Sequence, residues 1–297
     1  MTNNDQPLTT DDEEEAEEIE EDVLVIPEDA YTGDVIGGVR LRRAITFANG
    51  LFMALFGKGG AGKTTLAAET YKIGKTLLID AEAGSDVLDD LANEPNLVIA
   101  DVNGWVEFES VVTSLRQKGV GDYKAIIVDN YSELQDMCET KFDIKGGDRN
   151  DLMKYNLVTK AMRRSMKDLR AIARKHKIIV ILIFWDWDEK DKDGTFIRKD
   201  LMLTPKLRAT FPGLCTMIGH VRSTNNNDVR VLDFASNTRT VSKFKRSRKS
   251  AAQKVPYEIT YKLDNLPLVD IINTIFGRSE WDKDKYKKPP LTRTEPD

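Results

Sequence analysis

The sequence has few of the residues that usually announce metal or redox chemistry. It holds two cysteines, Cys138 and Cys215, and two histidines, His176 and His220, in 297 residues. The cysteines lie far apart without metal-ligand spacing, and so few histidines leave no basis for a structural zinc site. Both thiols read as small buried apolar groups. No apolar run approaches the ~20 residues of a membrane span. The first residues are acidic, unlike the basic-then-apolar pattern of a secretory leader. The expectation is a soluble, cytoplasmic protein of a reducing compartment, with no membrane partner. No internal repeat is visible. A hydrophobic content of 40% suffices for one large domain or one and a half.

Basic residues are missing from one place in particular. Residues 1–22 contain Asp5, Asp11–Glu15, Glu17, Glu18 and Glu20–Asp22, with no Lys or Arg. Taking those eleven negative charges out of the net −5 leaves +6 on the rest. An acidic tail on a basic body suggests that the body meets a polyanion for which the tail competes, or that the tail is a solubilising leader. The expected division is a disordered acidic tail over 1–30, one α/β domain over 31–277, and a flexible charged tail over 278–297.

The body is organised around Gly57-Lys58-Gly59-Gly60-Ala61-Gly62-Lys63-Thr64, followed by Thr65. This fits G-x-x-x-x-G-K-[ST], the P-loop pattern. The apolar run Leu51–Phe56 before it has strand length, and Thr65–Tyr71 after it reads as a helix. Strand, glycine loop and helix are the context the motif requires. Glycines let backbone N–H groups wrap a phosphate chain, helped by the positive end of the helix dipole. Lys63 should reach the β- and γ-phosphates, and the Thr64 hydroxyl should ligate Mg²⁺. ATP and Mg²⁺ are therefore the expected ligands.

Further strands are predicted at Thr76–Asp80, Leu97–Ala100, Ala125–Asp129 and Ile178–Phe184. Helices are predicted at Trp105–Gln117 and Asp151–Lys175. Alternating strands and helices imply a mainly parallel sheet with helices on both faces. Val35–Phe47 is a candidate extra edge strand. Beyond Asp191, short strands at Thr216–Arg222, Val229–Phe234 and Thr240–Lys245 read as antiparallel additions.

Two carboxylates stand where such a sheet would use them. Asp129 ends an apolar strand about 65 residues after the P-loop, the Walker B arrangement, and can hold the Mg²⁺ shell. Glu82, just past the strand ending in Asp80, lies where strand C-termini converge on the ligand crevice. A carboxylate on a strand beside the P-loop could orient and deprotonate the attacking water. Asp80 competes for that role.

Gly57–Thr64, Leu78-Ile79-Asp80-Ala81-Glu82, Ile126-Ile127-Val128-Asp129 and Ile181-Leu182-Ile183-Phe184 follow one another in the order of the RecA family. With the helix Asn130-Tyr131-Ser132-Glu133-Leu134 after Walker B, the chain resembles the phage-encoded RecA-like ATPases. These serve as minimal recombinases or single-strand annealing proteins. The resemblance spans roughly residues 45–250. It implies a RecA-like α/β fold and a DNA-stimulated ATPase, with Lys63 and Glu82 catalytic and Thr64 and Asp129 on the metal. It implies a homo-oligomer, ring or filament, acting on single-stranded DNA with a single-strand-binding protein as a candidate partner. If phage-encoded, it would act in the host cytoplasm. Asp186 falls at the γ-phosphate sensor position, where RecA usually has an amide. Lys243, Lys245 and Arg246 fall where RecA-type filaments present cations to a neighbour's ATP. The DNA-facing candidates are Lys145 and Arg149 in one polar stretch. In a second, mixed-charge stretch they are Lys190, Lys192, Arg198, Lys199, Lys206 and Arg208. Cations interleaved with Trp185, Trp187 and Phe196 would suit single strands.

Two other classes fit the P-loop. Lys58–Thr64 also matches the K-G-G-x-G-K-[ST] variant of the ParA/MinD partition ATPases, in which the early lysine acts across a dimer. The short interval from Lys63 to Asp80 and the Ala81-Glu82-Ala83-Gly84 turn differ from that family, and Lys58 discriminates the two. A nucleotide-switched binding module for replication proteins is the third possibility. No N-K-x-D guanine motif is present, so a GTPase is not expected.

Overall fold

The computed structural model describes residues 31–42, 50–142, 152–224, 228–237, 239–245 and 251–286. Tyr31–Ile36 (β1) and Val39–Arg42 (β2) form a separate antiparallel hairpin. The described part of the edge strand expected over Val35–Phe47, residues 35–42, is therefore not part of the main sheet, and residues 43–47 lie outside the described residues. Gly37 and Gly38, both at positive φ, turn the chain straight back on itself. The expected acidic tail, residues 1–30, lies outside the described residues.

The main sheet starts with Leu51–Gly57 (β3), in which all seven residues are buried. Phe52, Ala54 and Phe56 enter one core, and Leu51, Met53 and Leu55 the other. That is the period-two alternation of a strand covered on both faces. Lys63–Ala68 (α1) follows, tightening into a 3₁₀ turn at Glu69–Lys72. The α-helix is shorter than the expected Thr65–Tyr71. Next come Thr76–Asp80 (β4), Leu97–Asp101 (β5), Trp105–Lys118 (α2), Ala125–Asp129 (β6), Tyr131–Lys141 (α3) and Leu152–His176 (α4). The chain continues with Ile179–Lys190 (β7), Phe196–Leu201 (β8), Pro205–Leu214 (α5), Met217–Ser223 (β9), Val229–Asp233 (β10), Lys243–Phe244 (β11), Glu258–Lys262 (β12) and Leu268–Ile275 (α6).

The strand order is β12-β10-β9-β3-β7-β6-β4-β5, with β8 paired to β7 and β11 to β9. From β9 to β5 every pairing is parallel. β8, β10, β11 and β12 pair antiparallel. This is the α/β arrangement expected from the sequence, a mainly parallel sheet flanked by helices with antiparallel additions. One expected addition is corrected. β9 lies parallel to β3, because α5 carries the chain back across the sheet before it re-enters. The strand expected at Thr240–Lys245 shrinks to the two residues of β11.

Helices α2 to α5 cover one face, and α1 and α6 cover the other. On α4, Val158, Met162, Met166, Leu169 and Ile172 form the inward stripe, while Lys160, Arg164 and Lys167 stay exposed. Phe184 packs its ring 5.5 Å from Tyr131 and 5.0 Å from Phe211. Losing such a buried ring costs about 3–5 kcal/mol. Cys138 and Cys215 are free and buried as expected. Burial pushes the Cys138 thiol up to about 12.

Part of the stretch expected as a flexible C-terminal tail, 278–297, is packed. Trp281 is buried and stacks 5.1 Å from Tyr286. The Tyr286 hydroxyl donates to Asp270 Oδ2 at 2.6 Å, and Lys285 pairs with the same carboxylate at 2.7 Å. Residues 278–286 thus pack onto α6, and 287–297 lie outside the described residues. No helix among the described residues is long and apolar enough to cross a membrane.

Candidate nucleotide site

The P-loop leaves the end of β3 through Gly57, at φ +158°, where a Cβ would stand 2.1 Å from the Val221 carbonyl oxygen. Only glycine passes there. Lys58, Gly59 and Gly60 are exposed, and Ala61 is buried. Gly62, at φ +86°, opens α1. Lys63 is buried, and its ammonium donates to the Gly57 and Lys58 carbonyls at 2.9 Å each. Burial lowers its pKa, opposed by the charges of Asp129, Glu82 and Asp186. Thr65 is half-buried in the first turn of α1. Because α1 has only six residues, the loop amides and Lys63 carry more of any anion binding than the helix dipole does.

The Thr64 hydroxyl donates to Asp129 Oδ2 at 2.5 Å. Asp129 is buried at the end of β6. Its carboxyl is pushed up to about 6, chiefly by burial and further by Glu82 and Asp80, against the Thr64 hydrogen bond and Lys63. Thr64 and Asp129 together offer hard oxygen donors, which fit Mg²⁺ bound mainly through phosphate and water. Among the described residues no cluster of three His, Cys, Asp or Glu groups could hold a metal unaided.

Glu82 is exposed on the turn after β4. The strand order corrects its expected position. β7 lies between β3 and β6, and β4 lies beyond β6, so the Glu82 strand neighbours the Asp129 strand and not the P-loop strand. Asp80, the competing acid, is committed elsewhere. Its oxygens accept from the Glu82 and Ser85 N–H groups at 3.0 Å and from Gly84 at 3.3 Å. It shapes the turn that presents Glu82. Asn130 holds Glu82 in place. Its Nδ2 donates to Glu82 Oε2 at 3.0 Å, while its Oδ1 caps α3 by accepting from Ser132 N–H at 2.7 Å. The Asp129–Asn130 peptide bond is cis.

Beside the P-loop, β7 runs past the sheet edge and folds back as β8. The mixed-charge stretch that carries Lys190 to Arg208 is the β7–β8 hairpin followed by α5. A cavity of about 600 Å³ is lined by Lys58, Asp186, Trp187, Asp188, Lys199 and Arg208, among others. Asp186 pairs with Lys199 at 3.0 Å, and Lys199 also holds Asp188. Arg198 pairs with Glu189 at 2.6 Å and with Asp200 at 3.2 Å. The Arg208 guanidinium lies 5.5 Å over the Trp187 ring. Lys190 and Lys192 are exposed, and Lys206 reaches Asn156 at 3.5 Å. Lys243 donates to the Pro212 carbonyl and Lys245 to that of Gly213 at 3.4 Å, both at the end of α5. Lys145, Arg149 and Arg246 lie outside the described residues.

The structure therefore gathers Lys63, Thr64, Asp129 and Glu82 at one end of the parallel strands. It sets Asp186, Lys199 and Arg208 beside them, and takes Lys206, Lys243 and Lys245 to Asn156 and the end of α5. Asn130 escapes sequence reasoning, although a polar residue directly after the Walker B aspartate was a usable signal. Ser132, whose hydroxyl accepts from Trp185 N–H at 3.2 Å, and His220, stacked 4.7 Å from Phe56, leave no such signal. Burial holds the His220 imidazole down to about 4, hence neutral at pH 7.

No curated protein compared with the chain matches it. Among solved structures, a RadB recombinase crystal structure superposes with a TM-score of 0.47 at 19% identity, covering 73% of this chain and 88% of that one. A family model described as an AAA domain matches residues 49–246, from just before the P-loop strand to just past β11. That match takes in more than half of the chain, which accordingly belongs to the AAA-domain family of P-loop ATPases.

Proposed function

We propose that the chain hydrolyses ATP with Mg²⁺ at this crevice, and that it does so as an oligomer bound to single-stranded DNA in recombination or annealing. One observation carries the catalytic part: Thr64 on Asp129 and Glu82 on Asn130 meet at neighbouring strand ends. The loop amides of Gly57–Gly62 and Thr65 cradle the phosphates. Lys63 moves from the loop carbonyls to the β- and γ-phosphates, a short reach from where it sits. Thr64 and Asp129 would hold Mg²⁺, which would supply positive charge against the phosphates. Glu82 orients a water toward the γ-phosphorus and accepts its proton. As the new P–O bond forms, the bond to the β-bridging oxygen breaks and leaves ADP.

The DNA part rests on the family resemblance and on the basic body. The ion pairs narrow its candidates. Arg198 and Lys199 serve the acids of their own hairpin, whereas exposed Lys190 and Lys192 and the Trp187–Arg208 pair offer cations and an aromatic platform. The test is the ATPase rate with and without single-stranded DNA at low and moderate salt. Stimulation that fades with salt is expected, because phosphate contacts release counterions. Turnover indifferent to DNA at every salt concentration overturns the DNA part. Loss of turnover in K58A would favour the partition-type reading.

A further inference from the structure

β10 and β12 lie beyond β9, away from the P-loop strand, and nothing in their sequence marks them for nucleotide. One side chain nonetheless crosses to the loop. Arg230 on β10 pairs directly with Tyr261 on β12, as Leu232 pairs with Ile259 two residues along. Leu232, Ile259 and Tyr261 all belong to the core on the α1 face. By strand alternation Arg230 projects onto that same face. It is only 8% exposed, and its Nε donates to the Ala61 carbonyl at 3.2 Å, 169 residues away in sequence. From the loop after β12, Leu263 closes over the neighbouring position: a Cβ on Gly62 would lie 3.3 Å from its Cδ2.

We infer that Arg230 is a positioning residue of the phosphate loop, setting the Ala61–Gly62 peptide plane from the C-terminal strands. A trans peptide is planar, with its C=O and N–H on opposite sides. The Ala61–Gly62 bond is trans, since the cis bond among the described residues is Asp129–Asn130. Drawing the Ala61 oxygen toward the guanidinium therefore turns the Gly62 N–H to the other side. The loop needs such an anchor. Gly57, Gly59, Gly60 and Gly62 impose little conformational preference of their own. The loop's internal backbone bond runs from Ala61 N–H to the Lys58 carbonyl at 3.2 Å and leaves the next peptide plane to be set from outside. Arginine suits the task because its charge is permanent and its fork rigid. The buried cation behind the loop also favours a polyphosphate in front of it.

The inference rests on the P-loop binding nucleotide, so the unaltered chain is titrated first with ATP and ADP by calorimetry. If it binds neither, the nucleotide reading itself fails. If it binds them, R230K and R230Q are compared for ADP affinity, ATPase KM and kcat, and unfolding midpoint. ADP affinity is expected to fall about tenfold in R230Q and less in R230K, with KM rising more than kcat falls. A merely structural role would lower the midpoint and the active fraction while leaving the affinity of the folded fraction unchanged. Wild-type ADP affinity in folded R230Q overturns the inference. A measurement independent of any variant's folding is the Arg230 Nε–H resonance of the unaltered protein. It should shift on ADP addition, and a signal that stays put also overturns the proposal.

Discussion

The crevice at the ends of β4 and β6 and the β7–β8 hairpin beside it are both rich in charge, but they settle it differently. In the crevice Asp129 and Glu82 stand near Lys63, whose ammonium is bonded to backbone carbonyls. Asp129 responds by holding its proton up to about 6. In the hairpin the acids meet cations. Arg198 takes Glu189 and Asp200, and Lys199 takes Asp186 and Asp188. The Lys199 hydrogen bond keeps Asp188 below the usual carboxylate range. Unpaired buried charge is costly and persists where a ligand completes it. Paired charge holds a fold together. On the proposed reading the crevice is organised for a cation and a polyphosphate, the hairpin largely for itself.

The largest test of that contrast is K63A. Removing the buried P-loop ammonium should lower turnover by roughly 10²–10³ or more, read as ATP hydrolysis under saturating Mg²⁺. E82Q should keep ATP and ADP affinity within about twofold and lower kcat by about 10². Unchanged turnover in E82Q would remove the glutamate from the mechanism.

D129N separates function from stability. Asp129 titrates near 6 when folded and at the ordinary 3.8 when unfolded. Between those values the folded state holds the extra proton, so the contribution to stability is full below 3.8 and is lost as pH rises through 6. Above pH 7 the buried carboxylate costs about 3 kcal/mol relative to its protonated form. D129N should therefore raise the unfolding midpoint at pH 7.5 by several degrees, lose that advantage below about pH 4, and abolish turnover.

Smaller effects belong to the hairpin. K199A should lower stability by about 1–2 kcal/mol, seen in the unfolding midpoint, because Asp186 loses its partner while mostly buried. The exposed pair K190A/K192A should leave the midpoint within about a degree. If the hairpin meets DNA, it should also flatten the salt dependence of binding by roughly one to one and a half in log–log slope.

Much of the crevice was legible because its parts are local. β3, β4 and β6 are unbroken apolar runs ending in a glycine loop or an acid, and such runs read directly as buried parallel strands. The order of those strands was not legible, because crossovers set it. The sequence does not say that β7 comes between Gly57 and Asp129, or that Glu82 neighbours Asp129. α5 was missed because Pro205 and Pro212 look like breakers, although Pro205 sits in the first turn, where its missing N–H costs nothing. Asn130 became meaningful only when α3 and the Glu82 turn were placed together. Arg230 was invisible, being distant in sequence and sitting in a strand that merely looks appended.

The central position of β3 has a consequence for synthesis. Its neighbours in the sheet are β7 and β9, so the P-loop strand emerges from the ribosome well over a hundred residues before its second partner exists. At roughly 5–20 residues per second, seven residues destined for full burial wait on the order of ten seconds or longer without their sheet. Pairings this distant also fold slowly once the chain is free. The most apolar stretch around the catalytic loop is thus the one most exposed to wrong partners during birth, and the yield of folded protein depends on how well that interval is guarded.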